Sequence, residues 1–112
     1  MPWIRFEDNF PEHPKVLALS DAAFRLHVRA IGYAARHLTD GRVTYAVVSS
    51  LSRRASLSEE LVTAGLWERS DDGFCVHDYL NYQPSRAEVE ATRKQRASAG
   101  RVGGKAKGKH GA

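Results

Sequence analysis

Hydrophobic and polar positions follow a regular order between residues 41 and 78, and this order predicts a series of short elements. Along the chain they are a β-type run at Arg42–Thr44, a helix at Tyr45–Leu51, a turn at 52–55, a helix at 57–64 and two alternating runs at 66–69 and 74–77. Two helices joined by a tight turn and followed by a hairpin predict a winged helix-turn-helix. That arrangement presents side chains to the DNA major groove in some proteins and binds other proteins in others. The pattern therefore predicts the fold but leaves the function open.

The hairpin pattern predicts which side chains are buried. A two-residue and a four-residue loop both place the same residues together: Trp67, Phe74 and Val76 on one face, and Glu68, Cys75 and His77 on the other. The apolar face should pack on the core with Trp67 as its largest side chain.

A longer helix is predicted before this region, at 21–38, with Ser20 as its N-cap after a short turn at 14–19. Its predicted buried stripe consists of Phe24, Val28, Ile31, Ala35 and Leu38, and its opposite face carries Arg25, Arg29 and Arg36. Asp21 is placed to pair with Arg25. The aromatic N-terminal residues Trp3, Phe6 and Phe10 are expected to pack across the body.

Capping signals mark the other helices. Ser56 and Glu59 fit a capping box, Ser58 is a rival cap, and Gly65 is expected to stop that helix. Ser85 and Glu88 fit a second capping box that opens a polar helix at about 86–98, where Glu90 and Lys94 form a favourable pair. Glycines and spaced lysines predict disorder from 100 to 112.

The predicted architecture is therefore α+β. It consists of a winged-helix domain at 1–83, a polar helical extension at 84–99 and a disordered basic tail at 100–112.

Composition narrows the class of protein. The 112 residues suffice for one modest core, and 42% hydrophobic with 27% charged residues is ordinary for a globular domain. No apolar run approaches the roughly 20 residues that span a bilayer, so no membrane partner is expected. The N-terminus lacks a signal-peptide pattern and Cys75 is the single cysteine, so we expect a cytoplasmic protein without disulfides.

Charge is divided unevenly along the chain. The net charge is +4, but residues 1–92 carry −3 and residues 93–112 carry +7 with no acidic residue. Such a tail is suited to polyanions, whereas the body alone is not.

These observations nominate a nucleic-acid-binding surface. The candidate contacts are Arg53, Arg54, Ser56, Ser58, Thr63 and Arg69 on the helix-turn-helix and hairpin, and Arg93, Lys94, Arg96, Arg101, Lys105, Lys107 and Lys109 on the C-terminal segment. Glu59 and Glu60 count against base-specific contact by the second helix, since carboxylates near phosphates cost affinity.

Catalytic and cofactor sites are not predicted. The five histidines are dispersed without metal-ligand spacing, and no phosphate-binding glycine loop is present. His77 and Asp78 are adjacent in a strand end, where side chains point to opposite faces. We therefore expect neither an enzyme nor a metal or cofactor.

Several segments resemble small actinobacterial phage and prophage proteins related to phage replisome-organiser or replication-initiator winged-helix domains. They are 13–16 (His-Pro-Lys-Val), 19–26 (Leu-Ser-Asp-Ala-Ala-Phe-Arg-Leu), 38–41 (Leu-Thr-Asp-Gly), 61–68 (Leu-Val, then Ala-Gly-Leu-Trp-Glu) and 77–85 (His-Asp-Tyr, then Tyr-Gln-Pro-Ser). The resemblance covers about residues 3–90. It implies a winged-helix fold and DNA binding near a phage replication or regulatory locus, and some family members act mainly through protein partners.

The leading hypothesis is a double-stranded-DNA-binding protein of a phage or prophage. A protein-interaction module that recruits a host or phage factor through the acidic body is the alternative, and a homodimer through Trp3, Phe6 and Phe10 is a third.

Overall fold

The computed structural model describes residues 3–109, with side chains described throughout except at 81–82 and 100–109. It is an α+β structure. After a 3₁₀ turn at Phe10–Glu12, the elements in chain order are α1 (Pro14–Leu17), α2 (Asp21–His37), β1 (Arg42–Thr44), α3 (Tyr45–Leu51), α4 (Ser56–Thr63), β2 (Trp67–Ser70), β3 (Gly73–Val76), α5 (Tyr79–Tyr82) and α6 (Arg86–Lys109). The order predicted between 41 and 78 is confirmed, with boundaries shifted by one residue at most in α4 and both hairpin strands.

The three strands form one antiparallel sheet in the order β1-β3-β2. Ser70 pairs with Gly73, so the hairpin has the two-residue loop. Trp67, Phe74 and Val76 are buried as predicted. Because β3 lies between β2 and β1, the hairpin is joined to the element that precedes the two short helices.

The buried face of α2 differs from the predicted stripe. Only Ile31 of that stripe is buried, and the core-facing residues are Ala23, Leu26, His27, Ala30, Ile31 and Ala34. Phe24, Val28, Ala35 and Leu38 are half-buried. Apolar residues occupy more than half of the helix circumference, so periodicity alone does not choose a face. The alanines allow close packing, which the larger side chains would prevent.

The N-terminal segment is held to the body by a ring cluster and an amide. Phe10 lies 6.0 Å from Phe24 and 5.8 Å from His27, ring centre to ring centre. The Gln83 side chain accepts from the Arg5 backbone N–H at 2.9 Å and donates to its carbonyl at 2.5 Å. The prediction that the aromatic residues pack across the body is confirmed for Phe10, whereas Trp3 is 87% exposed.

Helix α4 ends as predicted. Gly65 has φ +80°, its N–H donates to Val62, and the Leu66 N–H donates to Leu61. This is a Schellman motif, in which a left-handed glycine lets the chain reverse while the last carbonyls stay bonded.

Helix α6 begins at the predicted cap but extends further than predicted. The Ser85 hydroxyl accepts from the Glu88 N–H at 3.1 Å, and the Arg86 N–H donates to Asp40 at 2.7 Å. Glu90 pairs with Arg86 rather than with the predicted Lys94. The backbone is helical to Lys109, which differs from the predicted disorder; the run Lys105, Ala106 and Lys107 between two of the glycines has high helix propensity. Residues 110–112 lie outside the described residues.

Replacing Gly73 with Ala is expected to destabilise the fold by about 3 kcal/mol, because β1 and β3 approach too closely for a side chain. An added Cβ would collide with the Val43 carbonyl and lie 2.7 Å from the Thr44 Cα. Urea denaturation of both proteins measures the difference. Gly32→Ala is the matched control: apart from the adjacent residues and the local helix backbone, no atom lies within 4 Å of its added Cβ, and in a helix this change should stabilise by roughly 0.5–1 kcal/mol. Equal stability of the two variants would contradict the expectation.

Candidate nucleic-acid interface

Helix α4 packs one face on the core and turns the other outward. Leu57 and Leu61 are buried, while Ser56, Glu59 and Thr63 are exposed. The i, i+4 spacing of the buried pair and the i, i+3, i+7 spacing of the exposed set explain this division. The outward face lies beside β2, so the helix and the hairpin form a continuous surface, referred to below as the α4–hairpin surface.

The predicted capping box of α4 is not formed. The N-cap residue is Ala55, and no side chain caps the helix. Ser58 does not cap either: it is 6% exposed, and its hydroxyl donates to the Ala55 carbonyl at 2.8 Å. Ser58 therefore lies on the buried face of α4 and is not exposed with Ser56 and Thr63.

The carboxylate expected to complete the capping box is used elsewhere. Glu59 forms an ion pair with Arg69 on β2, and both side chains are about half exposed. The hydrogen bond and the charge of Glu59 raise the pKa of Arg69. This pair ties α4 to the hairpin, and each partner neutralises the other on the outward surface.

The second acidic residue of α4 points to a different element. The Glu60 carboxylate accepts from the Ser20 N–H at 2.6 Å and from the Ser20 hydroxyl at 2.9 Å. The same hydroxyl accepts from the Ala23 N–H at 3.2 Å and caps α2 as predicted. Glu60 therefore serves the start of α2, where a negative charge complements the helix dipole.

The two arginines of the turn before α4 are both exposed. The Arg54 N–H donates to the Ser52 hydroxyl at 3.3 Å, which fixes the turn. Arg54 also lines a pocket with Arg25 and Arg29 of α2. The structure thus brings together one predicted site residue and two arginines that the sequence placed on a separate helix face.

The basic C-terminal residues lie along α6. Arg93, Lys94 and Arg96 are exposed on this helix. Arg101, Lys105, Lys107 and Lys109 follow on the same helical backbone. At 1.5 Å per residue the seven positions span roughly 24 Å.

Two other kinds of site are absent from the described part of the chain. Among the described side chains, no group of three or more metal-ligating residues is found, and no described helix is long and apolar enough to cross a bilayer. Burial raises the pKa of the Cys75 thiol, which disfavours the reactive thiolate.

His77 contacts its sequence neighbour, contrary to the prediction from strand geometry. Its ring lies 3.2 Å from the Asp78 carboxylate and 2.7 Å from Glu68. The strand has ended by this point, since β3 stops at Val76 and Asp78 has φ +58°. This left-handed backbone conformation of Asp78 turns its own side chain back toward the His77 imidazole.

A buried polar pair was missed by the sequence interpretation. The Trp67 indole N–H donates to His27 Nδ1 at 2.9 Å, and His27 is 3% exposed. Burial lowers the pKa of His27 to about 4. The signal was present in the spacing of His27 with Ala23, Ala30 and Ala34, but a histidine among alanines does not identify a partner 40 residues away.

Comparison with protein-family models, curated proteins and solved structures yields no match to this chain.

Proposed function

We propose that this chain is a double-stranded-DNA-binding protein with a winged helix-turn-helix arrangement, in which α4 is the recognition helix and the β2–β3 hairpin is the wing. The observation that carries the proposal is the single outward surface formed by α4 and the hairpin, bridged by Glu59 and Arg69. The strand order β1-β3-β2 supports it, because it anchors the hairpin beside the two short helices.

The α4–hairpin surface would set the position of the protein on DNA. Arg53 stands before α4, Ser56 and Thr63 lie on its outward face, and Arg69 lies on the hairpin. Hydroxyls and guanidinium groups of this kind bond to phosphates and base edges. Two carboxylates on α4 counted against DNA contact by this helix. Glu60 is bound to Ser20, so only Glu59 still does.

Helix α6 would supply most of the affinity. The segment 93–112 carries seven cations and no acid, whereas residues 1–92 have a net charge of −3. Cations released from the DNA by such a segment favour binding without sequence preference.

A phage or prophage role in replication initiation or transcriptional regulation, in the bacterial cytoplasm, is the context that the sequence resemblance favours. The resembling segments include the stop of α4 and the hairpin strand that follows it.

The test measures by fluorescence anisotropy how tightly the full chain binds random-sequence duplex DNA at about 50 mM and about 200 mM salt. We expect saturable binding that weakens steeply with salt. Absence of binding at the lower salt concentration would refute the proposal.

Replacing Glu59 with Gln should strengthen DNA binding roughly tenfold at low salt, since it removes a negative charge from the surface and releases Arg69 to contact a phosphate. Glu68→Gln is the matched control, because it removes an equal charge from a residue that contacts His77 instead. Anisotropy titrations compare the two. An equal gain for both would mean that only net charge matters and that Arg69 makes no contact.

A protein-interaction module is the second candidate, and the acidic body favours it. Tyr45 and Leu80 are 54% and 55% exposed and offer apolar contacts. In this case a pull-down with the full chain, its seven cations at 93–109 replaced by Gln, would retain a host or phage factor stoichiometrically. Loss of the factor in that variant would argue against it.

A further inference from the structure

Three arginines line one pocket between α2 and the turn before α4, on a body whose net charge is negative. Arg25, Arg29 and Arg54 line a pocket of about 250 Å³ whose remaining wall includes Ser52 and the apolar Leu26 and Leu57. No carboxylate lines it, although residues 1–92 contain all 13 acidic residues of the chain.

In the part of the chain that the structure describes, the neighbouring acids form no ion pair with these three arginines. Asp21, one helical turn before Arg25, forms no ion pair with it among the described residues, contrary to the prediction from their spacing. Glu59 is paired with Arg69, and Glu60 is bound to Ser20. Three positive charges that line one pocket create a local positive potential, which favours the binding of an anion.

One of the three guanidinium groups is already fixed. Arg29 donates to the Leu51 carbonyl at 2.7 Å, which caps the end of α3 and orients the arginine at the pocket. The turn carrying Arg54 is fixed through Ser52. Groups that are oriented in advance lose less conformational entropy when a ligand binds.

We propose that Arg25, Arg29 and Arg54 form a binding site for a phosphate group. A guanidinium fork matches two oxygens of an oxyanion. Even with one Arg29 nitrogen bound to Leu51, the three groups offer more donors than a carboxylate accepts, which suits a phosphate. The pocket lies on α2 and the turn, apart from the outward residues of α4, so the site stands whether or not the α4–hairpin surface binds DNA.

The first experiment is an NMR titration of the full chain with inorganic phosphate at constant ionic strength, observing the arginine Nε–H resonances. We expect saturable shifts for Arg25, Arg29 and Arg54, with binding at least about tenfold weaker in Arg25→Gln and in Arg54→Gln. Arg36→Gln is the matched control: it removes the same charge from an exposed position of α2 outside the pocket. Thermal melts verify that each variant is folded, and Arg25→Lys should recover only part of the affinity because it restores the charge without the fork.

Unsaturable shifts, or an equal loss in Arg36→Gln, would overturn the site. A second arm identifies the source of the phosphate by measuring duplex DNA binding of Arg25→Gln. Loss of DNA affinity with loss of phosphate binding assigns the site to the DNA backbone, whereas unchanged DNA affinity assigns it to a free phosphorylated molecule.

Discussion

Lowering the pH from about 7.5 to about 4.5 is expected to destabilise the protein by roughly 2–3 kcal/mol through His27 alone. Trp67 can only donate through its indole nitrogen, so His27 Nδ1 must remain unprotonated to accept that hydrogen bond. Burial holds the pKa of His27 at about 4 in the folded protein, against 6.5 for a free histidine.

The direction follows from proton binding. Between about pH 4 and pH 6.5 the unfolded chain binds a proton at His27 that the folded protein does not, so stability rises with pH across this window. The contribution of neutral His27 is complete above about pH 6.5 and is lost progressively as the pH falls toward 4.

Urea denaturation at the two pH values measures this effect, with His27→Gln as the comparison. The glutamine oxygen can still accept from Trp67 but does not titrate, so the difference between the two proteins cancels every other ionisable group. A Trp3→Phe background leaves the buried Trp67 as the one tryptophan signal, since Trp3 is 87% exposed and the chain has two tryptophans. An identical pH dependence in wild type and His27→Gln would contradict the expectation.

His27→Leu separates the hydrogen bond from the titration. It leaves the Trp67 N–H without an acceptor in the core, which should cost about 1–3 kcal/mol at neutral pH. His27→Gln should lose less under the same conditions. Equal losses would indicate that the acceptor contributes nothing and that packing alone matters.

Neutralising α6 is expected to have the largest effect on DNA binding. If the full chain engages five to seven phosphates, the logarithm of its association constant should fall with the logarithm of salt concentration at a slope of roughly −4 to −6. Replacing the seven cations by Gln should reduce the slope to roughly −1 or −2. The replaced residues are Arg93, Lys94, Arg96, Arg101, Lys105, Lys107 and Lys109.

The matched control replaces the three arginines of this segment by Lys, which preserves all seven charges. Its slope should equal that of the parent, because counterion release depends on charge more than on guanidinium geometry. An unchanged slope in the Gln variant would show that α6 is not the anchor, whatever the α4–hairpin surface does.

Local pattern accounts well for the elements between 41 and 78. The alternation of Trp67, Phe74 and Val76 identified the hairpin and its buried face, because strand periodicity is a property of the backbone. Gly65 marked the end of α4, since the left-handed conformation found there is readily adopted only by glycine.

Local pattern was insufficient where several partners competed for one group. Glu59 could have formed a capping box with nearby Ser56, but it forms an ion pair with Arg69 instead. Glu60 binds Ser20, which lies 40 residues away along the chain. Which residues of α2 are buried likewise depends on the elements that pack against this helix, namely α3, α4 and β1. These choices depend on contacts whose partners are distant along the chain.

By itself the sequence determined the order of the elements, the sheet-forming hairpin and the charge division between body and C-terminal segment, because these follow from backbone periodicity, turn chemistry and the count of ionised groups. Only the tertiary structure decided the buried His27–Trp67 pair, the neutralisation of Glu59 by Arg69 and the placement of Arg25, Arg29 and Arg54 around one pocket. Each of these joins residues on different elements. Their contacts form only when the chain has folded, and then burial and neighbouring charge fix what each group can do.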